Sequence, residues 1–213
     1  VLAAAADLDY QRNAAASLLA SGRLADSIGL ITGDFTNPFY SALAQAVEDE
    51  IRPRGMHLSV ANSRESPEQE KRVALDLADR QTKAVITVSS MVDHSDYAQL
   101  QTRGIPVVFV DRPAENVAAD SVVFDNREGG RLVARHLIER GHRNIGFIGW
   151  TSGAGIGDDR RAGWNEAMAG VAGDVASLDV RVEVDGITSG RRAARELKDR
   201  GATAAVCASD SLA

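Results

Sequence analysis

From residue 27 to residue 209 the chain alternates between continuous apolar runs and longer amphipathic segments. That alternation limits the fold more than any other feature. The apolar runs are SIGLIT (27–32), HLSVAN (57–62), AVITVS (84–89), IPVVFVD (105–111), SVVFD (121–125), NIGFIGW (144–150), VRVEVD (180–185) and AAVCAS (204–209). Most are unbroken and rich in β-branched residues, as strands covered on both faces are. Helical patterns lie between them, over 38–54, 67–81, 95–103, 127–140, 160–170 and 189–200. Pro38 and Pro67 stand where a helix starts, since a missing N–H costs little in a first turn. Gly55, Gly104, Gly141 and Gly201 fall just past helix ends, the position that favours a left-handed residue. Strand alternating with helix predicts βαβ crossovers, hence an α/β fold built on parallel sheets with flanking helices. The rhythm breaks once, between 111 and 127, where two strand-like runs follow each other across the polar segment PAENVAAD. This places a lobe boundary near Asp125, with a first lobe over 27–124 and a second over 125–213, of which only the opening βα units are expected.

Composition narrows the function. Of the 213 residues 44% are hydrophobic and 25% charged, enough for a sizeable core. The formal net charge of -6 argues against nucleic-acid binding through bulk positive charge and leaves room for a small local DNA contact. A single cysteine, Cys207, excludes an internal disulfide framework and fits a reducing compartment. No apolar run approaches a membrane span. The opening VLAAAADLDY is apolar but flanked by acids, a poor signal peptide. The chain does not begin with Met and stops at Ala213 without a polar tail, so both ends read as cut and a fragment is expected.

Residues 1–26 carry a different pattern. Residues 1–8 read as the last helix of a domain mostly absent. Asn13 is a suitable N-cap for a helix over 14–20, and Gly22 a suitable stop. Two turns are marginal in water, so this helix is expected to form only against a partner. Leu18 and Leu19 stand among alanines, between Arg12 and Arg23. They read either as a small packing helix or as an apolar wedge for the minor groove with flanking phosphate contacts.

The candidate site residues sit where strands end. Asn37, Phe39 and Tyr40 follow the first strand; an Asn amide both donates and accepts, and aromatic faces stack on rings. Packing of the same aromatics on the lobe is the plainer alternative. Asp111 and Arg112 end IPVVFVD, where a carboxylate beside a guanidinium fork suits vicinal hydroxyls, against the plainer reading of a surface ion pair. Arg160 and Arg161 follow the loop GWTSGAGIGDD, which matches neither phosphate-binding glycine pattern. Arg160 reads as a ligand contact or as a solvated helix residue. His57, His94, His136 and His142 lack metal spacing, so no metal site and no cofactor is expected. No nucleophile elbow, zinc helix or paired-carboxylate arrangement supports an enzyme.

With these residues in view, the chain resembles the LacI/GalR family of bacterial transcription regulators. VLAAAADLDYQRNAAASLLASGR is similar to the end of that family's helix-turn-helix followed by its hinge helix. DSIGLITGDFTNPFYSALAQAVEDEIRPRG, GIPVVFVDR, VVFDNREGGRLVARHLIERGHRNIGFIG, DDRRAGWNEAM and ASDSLA resemble successive landmarks of its sensor core. The resemblance implies a two-lobed, periplasmic-binding-protein-like core, a homodimer in the cytoplasm, no membrane, and a small effector between the lobes that alters operator affinity. It implies that Leu19 wedges into the minor groove beside Ala15, Ala16 and Asn13. It implies effector contacts from Asn37, Phe39, Tyr40, Asp111, Arg112 and Arg160, with Ser209 standing where an Asn is usual. The Asp111-Arg112 pair points to a sugar or polyol. The function expected is therefore a DNA-binding repressor under effector control. The alternative is a periplasmic sugar-binding protein of a transporter, which shares the core but needs a signal peptide and no hinge helix.

Overall fold

The structure, a computed structural model, describes residues 25–151, 155–171 and 175–213. Among them the chain forms β1 (Ala25–Thr32), α1 (Pro38–Ile51), β2 (His57–Asn62), α2 (Pro67–Asp79), β3 (Thr82–Thr87), α3 (Ala98–Thr102), β4 (Val107–Val110), β5 (Asp120–Val122), α4 (Asn126–Glu139), β6 (Ile145–Trp150), α5 (Ile156–Met168), β7 (Asp179–Val182), α6 (Ile187–Asp199) and β8 (Ala204–Cys207). It divides into two compact units, the second being Val123–Ala213.

In the first unit five parallel strands run in the order β2-β1-β3-β4-β5. Neighbours that are not consecutive require crossovers, and α1 and α2 supply them. Both helices start as the prolines dictate. Asn37 caps α1 by accepting from the Phe39 N–H, and Ser66 caps α2 by accepting from the Gln69 N–H. The pattern over 38–54 is not one helix: α1 ends at Ile51, and Arg52-Pro53-Arg54 continues as a 3-10 turn closed by Gly55 at φ 71°. Pro53 has no N–H to donate to the helix ladder, and its ring crowds the carbonyl four residues back. The segment 95–103 likewise splits into a 3-10 turn, Ser95–Tyr97, and the five-residue α3. No helix joins β4 to β5, yet they pair in parallel. The irregular segment 111–119 returns the chain, and it starts by turning sharply: Asp111, expected to end the strand, adopts φ 71° and donates its N–H to the Val122 carbonyl. The core packs Ile31, Leu77, Val85, Tyr97, Leu100, Val107 and Phe109. Burial of each such side chain contributes about 1.5–3 kcal/mol.

The second unit repeats the logic with parallel strands in the order β7-β6-β8. Its core gathers Ile145, Phe147, Ile148, Met168, Val180, Leu197 and Val206 around Trp164, which is fully buried. Trp164 resolves its one polar atom by donating to the Ile145 carbonyl at 3.1 Å. Helices α4 and α5 pack with their backbones almost in contact. A Cβ on Gly130 would overlap the Arg160 carbonyl, and one on Gly163 would overlap the Arg127 carbonyl. Two glycines at one crossing let the start of α5 lie directly on the start of α4. Cys207, expected in the core, is half-buried and packs against this cluster.

Candidate functional site

Each unit gathers polar side chains at the carboxyl ends of its parallel strands, the edge where open α/β sheets bind ligands. The two groups are described separately.

In the first unit the loops after β1, β2, β3 and β4 converge. Tyr40, buried on the first turn of α1, donates its hydroxyl to Glu65 Oε1 at 3.3 Å. Burial first, and then the Glu65 carboxylate, push the Tyr40 phenol well above its ordinary pKa, with Arg112 opposing and Asp111 adding to the rise. Tyr40 is therefore a permanent donor at neutral pH. Arg112 donates to the Ser89 carbonyl at 2.9 Å and reaches Glu65 Oε2 at 3.6 Å. Phe39 packs edge-on against Tyr40 at a ring-centroid distance of 5.5 Å. The sequence-predicted Tyr40, Asp111 and Arg112 thus come together in one electrostatic group. Asn37 spends its side-chain oxygen on the α1 cap. Phe39 is half-buried, and the aromatic presented to solvent on this loop is Phe35, 57% exposed.

Three of the five non-glycine residues with positive φ among the described residues lie at the same edge. Arg64, Glu65 and Asp111 all lie in the left-handed region, with φ of 54°, 53° and 71°. Non-glycine residues there cost about 1–3 kcal/mol each and cluster at ligand clamps and active sites. Glu65 lies so close over Gly33 that a Cβ at 33 would overlap its carboxylate.

Beneath this edge a second carboxyl group supports it. Glu70 is fully buried on α2. It accepts from the Tyr97 hydroxyl at 2.7 Å, the Ser90 N–H at 2.7 Å and the Ser90 hydroxyl at 2.8 Å. Glu70 thereby fixes the turn after β3 whose Ser89 carbonyl holds Arg112. Neither Glu65 nor Glu70 stands out in the sequence. The nearest sequence signal is Pro67, read as a helix start.

In the second unit Arg160 opens inward from α5. It donates Nε to Asn126 Oδ1 at 2.9 Å and Nη1 to the Ala208 carbonyl, tying the starts of α4 and α5 to the end of β8. Asn126 is itself buried. Ser209 donates its hydroxyl to Asp185 Oδ1 at 2.9 Å, and the Gly186 N–H donates to the same oxygen. Arg160 and Ser209 therefore flank the end of β8, joined by Asn126 and Asp185, which the sequence did not single out. Arg161, by contrast, pairs with Asp179 on the flank of β7.

Asn13, Ala15, Ala16 and Leu19, expected at the hinge, lie outside the described residues. Among the described residues no three His, Cys, Asp or Glu side chains are grouped to hold a metal ion, and no helix is long and apolar enough to cross a membrane. His94 is buried against Phe109, and its Nδ1 accepts the Glu115 N–H at 2.8 Å.

Comparison with known proteins gives this geometry a context. The sequence model for periplasmic binding proteins and the sugar binding domain of the LacI family matches residues 25–213. The HTH-type transcriptional regulator GalR of Escherichia coli (strain K12) is 30% identical over 211 residues, covering 97% of this chain and 60% of that protein. The ribose operon repressor of Halalkalibacterium halodurans is 33% identical over 186 residues, covering 86% of this chain and 54% of its own length. The chain thus spans about three fifths or less of these relatives. Among solved structures, the Cra transcriptional dual regulator from Pseudomonas putida in complex with fructose 1-phosphate superposes with a TM-score of 0.80 at 29% identity, over 88% of this chain and 70% of that one.

Proposed function

We infer the function from a plain premise: the chain belongs to the family that comprises periplasmic binding proteins and the sugar binding domain of the LacI family, whose sequence model matches residues 25–213. We propose that it is the ligand-sensing part of a cytoplasmic, homodimeric DNA-binding repressor, and that its effector is a small sugar or polyol. The Tyr40–Glu65–Arg112 group at the carboxyl edge of the first sheet carries the reading. It combines a phenol donor, a guanidinium donor and carboxylate acceptors, the mixture that vicinal hydroxyls satisfy with hydrogen bonds of both senses. In this reading Asn37, Phe39, Tyr40, Asp111 and Arg112 contact the effector from the first unit, and Arg160 and Ser209 from the second. Residues 1–26 carry the operator contact, with Leu19 as the wedge and Asn13, Ala15 and Ala16 beside it. The reading as a binding protein of a transporter is not favoured, because the relatives are transcription regulators.

The test is operator binding by the full-length protein that carries this chain, followed by fluorescence anisotropy with a duplex from its own upstream region. A sugar effector changes the affinity for that duplex by roughly 5- to 150-fold, the usual range of allosteric coupling. Binding that no sugar or polyol alters defeats the proposal.

A further inference from the structure

We propose that Glu65 is a specificity-determining residue: its carboxylate engages the Arg112 guanidinium and so selects an uncharged polyhydroxy ligand over the phosphate ester of the same sugar. The inference rests on the sugar-effector reading and adds the charge class of the ligand.

Three observations carry it. First, Arg112 is already engaged twice, by the Ser89 carbonyl at 2.9 Å and by Glu65 at 3.6 Å. Second, Glu65 is held there by its backbone rather than by chance. Arg64 and Glu65 are consecutive left-handed residues, the Arg64 N–H is taken by Asn62 Oδ1 at 2.8 Å, and Ser66 caps the next helix. The side chain that results lies over Gly33, which has no Cβ to block it, and its second oxygen accepts from Tyr40. Third, Asp111 acts on the same Tyr40 hydroxyl. Glu65, Asp111 and Arg112 together carry a formal charge of -1.

A neutral hydroxyl fits this arrangement without loss. It donates to either carboxylate and accepts from Arg112 or Tyr40. The phosphate of an ester brings up to two negative charges to a group whose formal charge is already negative, and in place of a hydroxyl it gives the carboxylates no hydrogen to accept. Like charges placed together at a binding surface act chiefly as a filter against the wrong partner. Regulators of this fold include one solved with a phosphorylated sugar, so the choice between the two ligand classes is a real one for such a scaffold.

The experiment is calorimetric titration of the full-length protein with three matched pairs: fructose and fructose 1-phosphate, ribose and ribose 5-phosphate, galactose and galactose 1-phosphate. At least one neutral sugar is expected to bind about tenfold or more tightly than its ester, a ratio equal to about 1.4 kcal/mol. In Glu65→Gln the ratio narrows from both sides: the neutral sugar loses a charged acceptor and binds more weakly, while the ester is relieved of a like charge and binds better. Glu65→Ala narrows it in the same direction, and raising the salt concentration narrows it in the wild type. A wild-type preference for the ester, or a ratio unchanged in both variants with unaltered melting temperatures, overturns the assignment. Silence from all six probes overturns the polyhydroxy reading beneath it, and the charge-class inference falls with it.

Discussion

Gly129 and Gly130 are neighbours near the start of α4, and the same substitution is expected to act with opposite sign at the two. A Cβ on Gly129 meets nothing within 4 Å. Gly129→Ala therefore gains helix propensity and loses unfolded-state freedom, a stabilisation of about 0.5–1 kcal/mol. At Gly130 the gain is the same, but the Cβ would lie 2.8 Å from the Arg160 Cα and overlap its carbonyl. Ordinary carbon contacts are about 3.5–4.0 Å. The backbones of α4 and α5 must then part by roughly 1 Å, which costs about 1–3 kcal/mol or more in a packed interior. The net expectation for Gly130→Ala is a destabilisation of about 1–2 kcal/mol, or about 4–16 °C in melting temperature for a unit of this size. The chain has 2 tryptophans, Trp150 and Trp164, both in the second unit, so tryptophan fluorescence during thermal or urea unfolding reads this unit alone. A shift of both variants in the same direction would refute the close-crossing argument. Because the atom displaced belongs to Arg160, Gly130→Ala should also weaken ligand binding, whereas Gly129→Ala should not.

Other expectations follow from the same geometry. Glu70→Ala strands the Ser90 N–H and weakens the buried Tyr97 hydroxyl's contacts, and at about 1–3 kcal/mol per lost buried partner it should cost about 3–5 kcal/mol. Glu70→Gln keeps one acceptor and should cost less. Hydrogen exchange at the amides of β3 and α2 measures both, and a change below about 0.5 kcal/mol in Glu70→Ala would contradict the network. Burial lowers the His94 pKa below its ordinary 6.5. The unfolded chain thus takes up the proton first, so the stabilisation is fully present above pH 6.5 and is lost as pH falls toward the folded value. Its contribution to the slope is at most about 1.4 kcal/mol per pH unit, and urea midpoints from pH 7 to pH 5 should fall less steeply in His94→Gln. Equal slopes would place the acid sensitivity elsewhere.

The strands and most helix ends were legible because their signals are local. Pro38 and Pro67 open α1 and α2, and Gly55, Gly104, Gly141 and Gly201 all adopt positive φ beyond helix ends. The exceptions are local conflicts that the periodicity did not weigh: Pro53 ends α1 early, and Asp111 leaves its strand for a left-handed turn. The site was legible in part. A residue just past a strand's carboxyl end, such as Arg112, or on the first turn of the helix that follows, such as Tyr40, is visible from its position in the strand-loop-helix pattern. Its partner is not. Glu65 meets Tyr40 across 25 residues and Asn126 meets Arg160 across 34, distances that only the sheet order bridges. Glu70 is the sharpest case, since its helix pattern reads it as an ordinary polar residue while the fold buries it completely. Gly33 similarly looks like a loop glycine, and only the packed structure shows that it makes room for Glu65.

The central claim is that the carboxyl-edge group of the first sheet binds a small polyhydroxy ligand. The most direct test is a thermal-shift panel of sugars and polyols on the full-length protein, run in parallel on wild type and Asp111→Ala. A ligand at a hundred times its Kd stabilises the folded state by about 2.7 kcal/mol. The account predicts at least one sugar or polyol that raises the wild-type melting temperature and fails to raise that of Asp111→Ala. No shift with any member of the panel, or an equal shift in both proteins, would contradict it.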